Sequence, residues 1–392
     1  MGFIKLGRNF KDSFLRSLAW KPAIATPASS NLHAPGQFIY SNKIETSAAN
    51  LLVAHGKVLE ILRGKIPLPE VVELFITNFC DFSCPHCRCA PYRGGNDQYF
   101  NFGTMGALFD ELREKGIKTL EFGGGGEPLM HPQVNDIFRR LNEQAFRVGL
   151  ITNGYRFTQE PGLMDLVIGC SDWVRFSLDA VSNDTFRKVH GKSNLNYDAL
   201  REAIIAMVNK TRQKSPADHR PRIGLKMIIQ QFNKHEVLRS IDEALAMGVD
   251  NMQFKFLEGH PLALNSDRER SDIIDGLKLK IQEIKDTGLV VEILAGYGGE
   301  RQELKKCRMA VLHPLVDWDG EIYMCAFFHH RKERHSIGNI NDGGFFVHWG
   351  TEEHKRKIAE TNPKECVINC PMLRYDPVIE YIEKESARFH YI

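Results

Sequence analysis

Two hydrophobic periods alternate along the chain. Leu51, Leu52, Ala54, Val58, Leu59 and Leu62 recur at helical spacing within residues 43–63, and Gly64 with Pro67 supplies a stop. Residues 71–77 then switch to a short β-rich run. Met105, Leu108, Phe109 and Leu112 repeat at i, i+3, i+4 and i+7, a strand follows over 119–122, and Val134, Ile137, Phe138 and Leu141 return to the helical spacing. Residues 146–152, 173–178, 223–229 and 251–257 read as further strands, with helical patterns between them such as Ala203, Ile204, Met207, Val208 and Val237, Leu238, Ile241, Leu245. Residues 289–294 are a candidate for one more. Strands alternating with helices of this length predict βαβ units and a parallel sheet, open or curled into a barrel, with the chemistry at the carboxyl ends of the strands.

The pattern breaks past residue 296. Residues 312–316 and 321–325 flank Asp319 and Gly320, a strong hairpin signal, and a helix is expected over 352–360 with an amphipathic tail marked by Val378, Tyr381 and Ile382. Upstream, residues 22–42 are rich in Pro, Ala and Ser and read as a linker. Before them, Phe3, Ile4, Leu6, Phe10, Phe14, Leu15 and Leu18 are mixed with Lys5, Arg8, Lys11, Arg16 and Lys21 without a continuous apolar stretch. A helix packing on the domain or on a partner explains this better than a secretory signal or a membrane-surface helix. The expected division is therefore 1–42 as an amino-terminal extension, 43–70 as a helical lead-in, 71–295 as the α/β domain, 296–376 as a small α+β module and 377–392 as a tail.

Composition narrows the class. The 392 residues are 43% hydrophobic and 26% charged, with 51 Lys plus Arg against 49 Asp plus Glu, a balance that gives no positive field for nucleic acid. No apolar run approaches the roughly 20 residues of a transmembrane helix. The nine cysteines are too few and too unevenly spaced for a disulfide scaffold, which fits a reducing cytoplasm.

Their spacing carries the chemistry. Cys80, Cys84 and Cys87 fall on one loop after a strand, the geometry an iron–sulfur cluster needs on one side; a zinc site completed by His86 or Cys89 is the alternative. The next strand ends in Gly123, Gly124, Gly125, Gly126 and Glu127, bare backbone able to approach a ligand, and no Lys-Ser/Thr follows to make it a nucleotide loop. Thr152, Asn153 and Gly154 end the third strand, Ser177 and Asp179 the fourth. Each alone is an ordinary turn or cap, whereas all four on one rim are better explained as one site. Late in the chain, Cys307 and Cys325 with Cys366 and Cys370 offer four thiolates, enough to close an iron–sulfur cluster or a zinc site, of which structural zinc is the plainer use. Lys226, Lys255 and Glu258 lie on or past late strands, where a substrate base could sit. His329, His330 and His335 fall in a basic stretch and read as a solvated loop before they read as metal ligands, and Cys89 and Cys170 match no motif.

The ordered set FCDFSCPHC, GGGGEP, ITNG and RFSLDA, spanning about 71–258, resembles the radical S-adenosylmethionine (SAM) superfamily. The resemblance implies a partial (βα)6 barrel in which Cys80, Cys84 and Cys87 bind a [4Fe–4S] cluster. The fourth iron would chelate SAM, and reductive cleavage would yield a 5′-deoxyadenosyl radical that abstracts a substrate hydrogen. It further implies that Gly124, Gly125, Gly126 and Glu127 face the SAM amino group, that Asn153, Ser177 and Asp179 line the same cofactor site, and that Arg187, His190 or Lys192 meets its carboxylate. The family often has an aromatic residue where this chain has His86. The late cysteines resemble a twitch/SPASM-like module, with segments 317–320 and 337–340, which implies that Cys307, Cys325, Cys366 and Cys370 hold an auxiliary [4Fe–4S] cluster. Twitch-bearing relatives imply a dehydrogenase-type oxidoreductase acting on a small polyol, with an external electron donor such as flavodoxin or ferredoxin. Modification of a ribosomally made peptide is the runner-up, and a zinc or electron-transfer protein the alternative of another class.

Overall fold

The computed structural model describes residues 37–41, 54–213, 220–296, 307–329, 331–363 and 376–386. The first 34 residues lie outside the described residues; everything below concerns the unit from Pro35 onward.

Strands and helices alternate through the first two thirds. β1 is Gln37–Ser41, α1 His55–Leu62, β2 Val72–Leu74, α2 Phe102–Glu114, β3 Thr119–Phe122, α3 Val134–Glu143 and β4 Arg147–Thr152. There follow α4 Leu163–Cys170, β5 Ser171–Ser177, α5 Asn183–His190, α6 Tyr197–Arg212, β6 Arg222–Ile229, α7 Val237–Met247, β7 Asn251–Phe256, α8 Asp267–Glu283 and β8 Val290–Gly296. The starts of α2, α5, α6 and α8 are set by Asn101, Ser182, Asn196 and Ser266, whose side chains accept from backbone N–H groups of the first turn. Gly191 and Gly248, both left-handed, end α5 and α7.

β2 to β8 pair in sequence order, all parallel. Six of these strands are the expected ones, and the sheet forms the partial barrel of the α/β class read from sequence. The candidate at 289–294 is real and becomes the seventh, β8. One reading is corrected. Gln37–Ser41, inside the stretch read as linker, is a strand that pairs antiparallel with β8. Five residues behind Pro35 and Gly36 give too short a pattern to announce themselves, and an edge strand is defined by the partner it pairs with. Within the helix expected over 43–63, residues 43–53 lie outside the described residues and α1 covers 55–62.

The module past residue 296 continues the same sheet. β9 Leu315–Val316 runs parallel to β2, and β10 Glu321–Tyr323 and β11 Ser336–Asn339 extend it antiparallel. The hairpin about Asp319 and Gly320 and the helix α9 Glu352–Glu360 are as expected, and in the stretch read as a tail α10 runs over Asp376–Ser386.

Burial splits the parallel strands by parity. Leu74, Leu120, Phe122, Val174, Phe176, Leu225, Met227, Phe254, Phe256 and Ile293 are at most 1% exposed and join one core with the apolar faces of the helices, such as Ile137, Phe138 and Leu141 of α3. The alternate positions, Glu73, Glu121, Arg175, Lys226, Gln253, Lys255 and Glu292, are half-buried and polar. Because successive strand residues face opposite ways, these seven share the inner face of the curled sheet.

Candidate active site

The chain leaves β2 and enters the cysteine loop through two fasteners. Thr77 Oγ1 donates to Gln98 O (2.7 Å) and accepts from Phe79 N (2.9 Å). Asn78, 3% exposed, donates to the carbonyls of Arg93 and Asn96 and accepts from Gln98 N (2.6 Å). Each cysteine sulfur has a nitrogen neighbour: Phe82 N donates to Cys80 Sγ (3.4 Å), His190 Nδ1 lies 3.2 Å from Cys84 Sγ, and Arg93 Nη2 donates to Cys87 Sγ (3.1 Å). Burial, and then the charge of Glu127, pushes the Cys80 thiol up to about 12. Burial pushes Cys84 up further, followed by the charges of Asp179, Cys87 and Cys80. Such sulfurs ionise readily only when a cation shares the site.

The glycine run presses its backbone on this loop. Gly126 N donates to Thr77 O and Glu127 N to Phe79 O, both 2.7 Å. A Cβ on Gly126 would lie 2.0 Å from Phe79 O, and Gly125, at φ +76°, would meet Trp318 and Thr77 O. Glu127 is buried, and its carboxylate accepts from Leu129 N (3.1 Å), Thr152 Oγ1 (2.5 Å) and Asn153 N (2.7 Å). Burial first, with Asp81 adding, pushes it up to about 8 against those three donors. Asn153 Nδ2 donates to Asp81 Oδ1 (2.6 Å), which ties the end of β4 to the cysteine loop.

β5 reaches the same place. Asp179 is buried; its carboxylate accepts from Ile228 N (2.6 Å) and lies 3.2 Å from His86 Nε2, whose other ring nitrogen is 3.1 Å from Gln230 Nε2. Burial alone would raise Asp179, but His86 and His190 beside it hold it below its ordinary value. Ser177 sits at the tip of β5 in register with Lys226. The ends of β3, β4 and β5 thus bring Gly125, Gly126, Glu127, Asn153 and Asp179 to the loop of Cys80, Cys84 and Cys87, while Gly124 lies against Phe75 and Ser177 stands two residues before Asp179. Of the three basic candidates on and after α5, His190 faces Cys84, Lys192 acts on Asp81, and Arg187 turns to Leu195 O (2.9 Å) and Asp184.

Lys226 stands on the inner wall. Burial, then the charges of Arg175 and Lys255, brings it down to about 7. Lys255 is two residues further along the adjacent strand than Gln253, the register partner of Lys226. Glu258 accepts from Arg270 Nη1 (3.0 Å) just beyond β7. Sequence reasoning missed the rest of this wall: Glu73 and Glu121, each 3.7 Å from His313 Nε2, Arg175 over the Trp173 ring, and Gln253 donating to Glu292 (3.1 Å). Strict apolar/polar alternation within VEL, TLEF and MQFKF was the available signal, since a barrel strand with a buried outer face needs a reason to be polar on the other. Arg93 and Gln230 were also missed.

The carboxy-terminal module leans on this site. Arg88 donates to Phe327 O (3.2 Å) with its guanidinium 4.7 Å over the Phe327 ring, and Trp318 Nε1 donates to Gln98 Oε1 (2.8 Å). Cys325 caps the turn Ala326–Phe328 and Cys307 is half-buried; Cys366 and Cys370 lie outside the described residues. The solvated-loop reading of the histidines is corrected for two of them. His329 is buried against Phe75 and Tyr92, and His335 stacks on Phe328 at 3.9 Å, because neighbouring aromatic side chains cover the loop; His330 lies outside the described residues.

Residues 74–213, which carry the cysteine loop, the glycine run and the tips of β4 and β5, match the family model of the Radical SAM superfamily. Residues 74–213 are a radical SAM domain. The chain is 25% identical over 304 residues to the tungsten-containing aldehyde ferredoxin oxidoreductase cofactor-modifying protein of Pyrococcus furiosus, covering 72% of this chain and 81% of that one. It is 23% identical over 288 residues to the antilisterial bacteriocin subtilosin biosynthesis protein AlbA of Bacillus subtilis, covering 71% and 58%. SuiB of Streptococcus suis shares the fold: its structure bound to S-adenosylmethionine aligns with a TM-score of 0.60 at 12% identity over 83% of this chain and 77% of that one. Its complex with the precursor peptide SuiA aligns with the same score over 93% and 82%.

The radical SAM fold binds a [4Fe–4S] cluster and SAM, and this chain's donor set fits. Among the described residues no three His, Cys, Asp or Glu side chains converge as a single metal ion would require. The two further ligands weighed for zinc are engaged elsewhere, His86 with Asp179 and Gln230, and Cys89 with the Gly125 backbone. A four-iron cube instead takes its thiolates at separate corners, and three half-buried sulfurs on one loop suit it. Among the described residues no helix is long and apolar enough to cross a membrane.

Proposed function

We propose that this radical SAM enzyme oxidises a small polar substrate held in the barrel lumen, an alcohol carbon becoming a ketone, with Lys226 receiving the proton. Cys80, Cys84 and Cys87 would hold the cluster, with SAM against Gly124, Gly125, Gly126, Glu127, Asn153, Ser177 and Asp179. Bound there, the pair supplies the 5′-deoxyadenosyl radical that removes the carbon-bound hydrogen. Cys307, Cys325, Cys366 and Cys370 would hold an auxiliary [4Fe–4S] cluster, able to accept the electron left on the substrate. An external donor such as flavodoxin or ferredoxin, in a reducing cytoplasm, fits this assignment.

The observation that carries the reading is the placement of Lys226 on the inner wall, level with Ser177, in surroundings that bring its amine down to about 7, so that a large share of it is neutral near that pH. A neutral amine in the lumen can take the hydroxyl proton as the carbonyl forms. Lys255 adds a second amine close by, whereas the Glu258 carboxylate is already held by Arg270. The polar wall suits a polyol, which must have its hydroxyls satisfied once out of water.

A peptide substrate is the second reading, favoured by the likeness to a subtilosin biosynthesis protein and to SuiB with its precursor peptide. One experiment separates the readings. The anaerobically reconstituted protein is assayed for iron, sulfide and zinc, then incubated with SAM and reductant in the presence of a panel of cyclitols and amino sugars or of candidate precursor peptides. About eight irons, the content of two [4Fe–4S] clusters, with 5′-deoxyadenosine and a ketone from a polyol supports the proposal. A modified peptide selects the second reading; about four irons removes the auxiliary acceptor, and zinc without iron overturns both.

A further inference from the structure

One cation touches both halves of the cofactor site. Arg93 lies past Cys87 on the return of the cysteine loop, and its main chain is fixed because Asn78 donates to its carbonyl. The guanidinium then makes two directed bonds, Nη2 to Cys87 Sγ (3.1 Å) and Nε to Gly125 O (3.0 Å). A planar, permanently charged fork makes both at once from two separate nitrogens, whereas a lysine would have to serve both acceptors from a single ammonium nitrogen. The other charges near the sulfurs are mostly of opposite sign: Glu127 and Asp81 act on Cys80, and Asp179 acts on Cys84. Arg93 acts on Cys80, Cys84 and Cys89 alike, and Arg88 on Cys89.

We propose that Arg93 is a positioning residue that raises the reduction potential of the cluster held by Cys80, Cys84 and Cys87 while fixing the glycine run beside it. The inference rests on the reading that these cysteines bind a cluster. One-electron reduction adds a negative charge to the cluster. An N–H directed at a ligand sulfur and a positive charge next to it stabilise the reduced form more than the oxidised one. Beside the buried Asp179 carboxylate, this lets an external one-electron donor of ordinary strength reduce the cluster. The residue does not touch the reacting atoms of the substrate.

Three variants of the full chain test it. Arg93→Lys keeps the charge, Arg93→Gln keeps a neutral N–H donor, and Arg93→Leu keeps neither. Each is reconstituted alongside the wild type, iron and sulfide per chain are measured, and the midpoint is determined by mediated reduction followed by electron paramagnetic resonance. The signal that shifts on adding SAM identifies the cluster in question. At the poise where half the wild-type cluster is reduced, the ratio of reduced to oxidised cluster in Arg93→Leu is expected to fall roughly tenfold, about 59 mV for a one-electron couple. The other two variants are expected to fall between. Equal midpoints at equal iron content would overturn the proposal and leave Arg93 as a staple of the loop. If Arg93→Leu does not assemble, the lysine and glutamine variants decide, since a staple alone predicts no ordering between their potentials and the wild type. A wild-type protein that takes up no iron would sink the underlying cluster assignment instead.

Discussion

Lys226 ties a single side chain to a measurable pH response. Burial presses its amine down to about 7, with Arg175 and Lys255 adding to the effect. The charged form is the one disfavoured in the fold, so the side chain is mostly neutral above that value and mostly protonated below it. Proton acceptance in the proposed reaction therefore increases as pH rises through about 7, and the yield of oxidised product per 5′-deoxyadenosine should rise over the same range. Lys226→Met should lower that yield by roughly 10²-fold or more, the usual share of a proton-transferring group, while SAM cleavage continues. A variant with unchanged yield would assign the proton to another group. The same shift acts on stability in a fixed direction. The unfolded lysine takes up its proton as pH falls below about 10 and the folded one only near 7, so the wild type loses stability across that interval and Lys226→Met should not. From the sequence alone Lys226 was a candidate base, as a lysine on a late barrel strand. Arg93 and the pairing of His86 with Asp179 could not be read there: an arginine six residues past Cys87 matches no motif, and His86 and Asp179 are 93 residues apart. What could be read was the cysteine spacing and the polar tip of each strand, because those signals are local.

At the scale of elements, the glycine run shows how backbone alone builds the site. Gly123 and Gly126 stand three positions apart in the sequence and differ completely in what a side chain would meet. At Gly123 the nearest atom is a Glu73 carboxylate oxygen at 3.3 Å, the end of a flexible chain, whereas at Gly126 it is the Phe79 carbonyl oxygen at 2.0 Å. Gly123→Ala should leave thermal unfolding and iron uptake close to wild type. Gly126→Ala must push the cysteine loop off the end of β3, at a cost of about 3 kcal/mol, the upper part of the overpacking range, and with loss of bound iron. Thermal melts and iron counts on the two variants check this, and equal behaviour would mean that the loop yields. The alternation of β2 to β8 with helices was plain from the chain because each outer strand position and each helix face buries apolar side chains, as in Leu120, Phe122, Ile137 and Phe138. β1 was hidden because the reason for its strand conformation lies some 250 residues away, in the register of Gln37 with Gly296. The polar inner wall was overlooked for a related reason: apolar outward residues sufficed to identify the strands, and the residues between them carried the information about the lumen.

For the whole molecule, the decisive feature is one sheet that does not stop at the barrel. β1 borders β8 on one side and β9 borders β2 on the other, so each outer strand of the parallel set is hydrogen-bonded by a strand from elsewhere in the chain. Phe75, Leu315 and Tyr323 form a small buried cluster at the second of these seams. A chain ending at residue 296 would keep every strand of the barrel yet bare the backbone of β2 and the Phe75 side chain. Unpaired edges of that kind invite association between molecules, so the shortened protein should elute as oligomers or aggregate, while the full chain at equal concentration should not. Size-exclusion chromatography of the two decides, and a monomeric truncation would show that β2 is protected without β9. Any chimera that trades this carboxy-terminal segment for a relative's would then exchange a wall of the container together with a set of thiols. A donor segment lacking a two-residue match to Glu73 and Leu74 would spill the barrel before its own cysteines could matter.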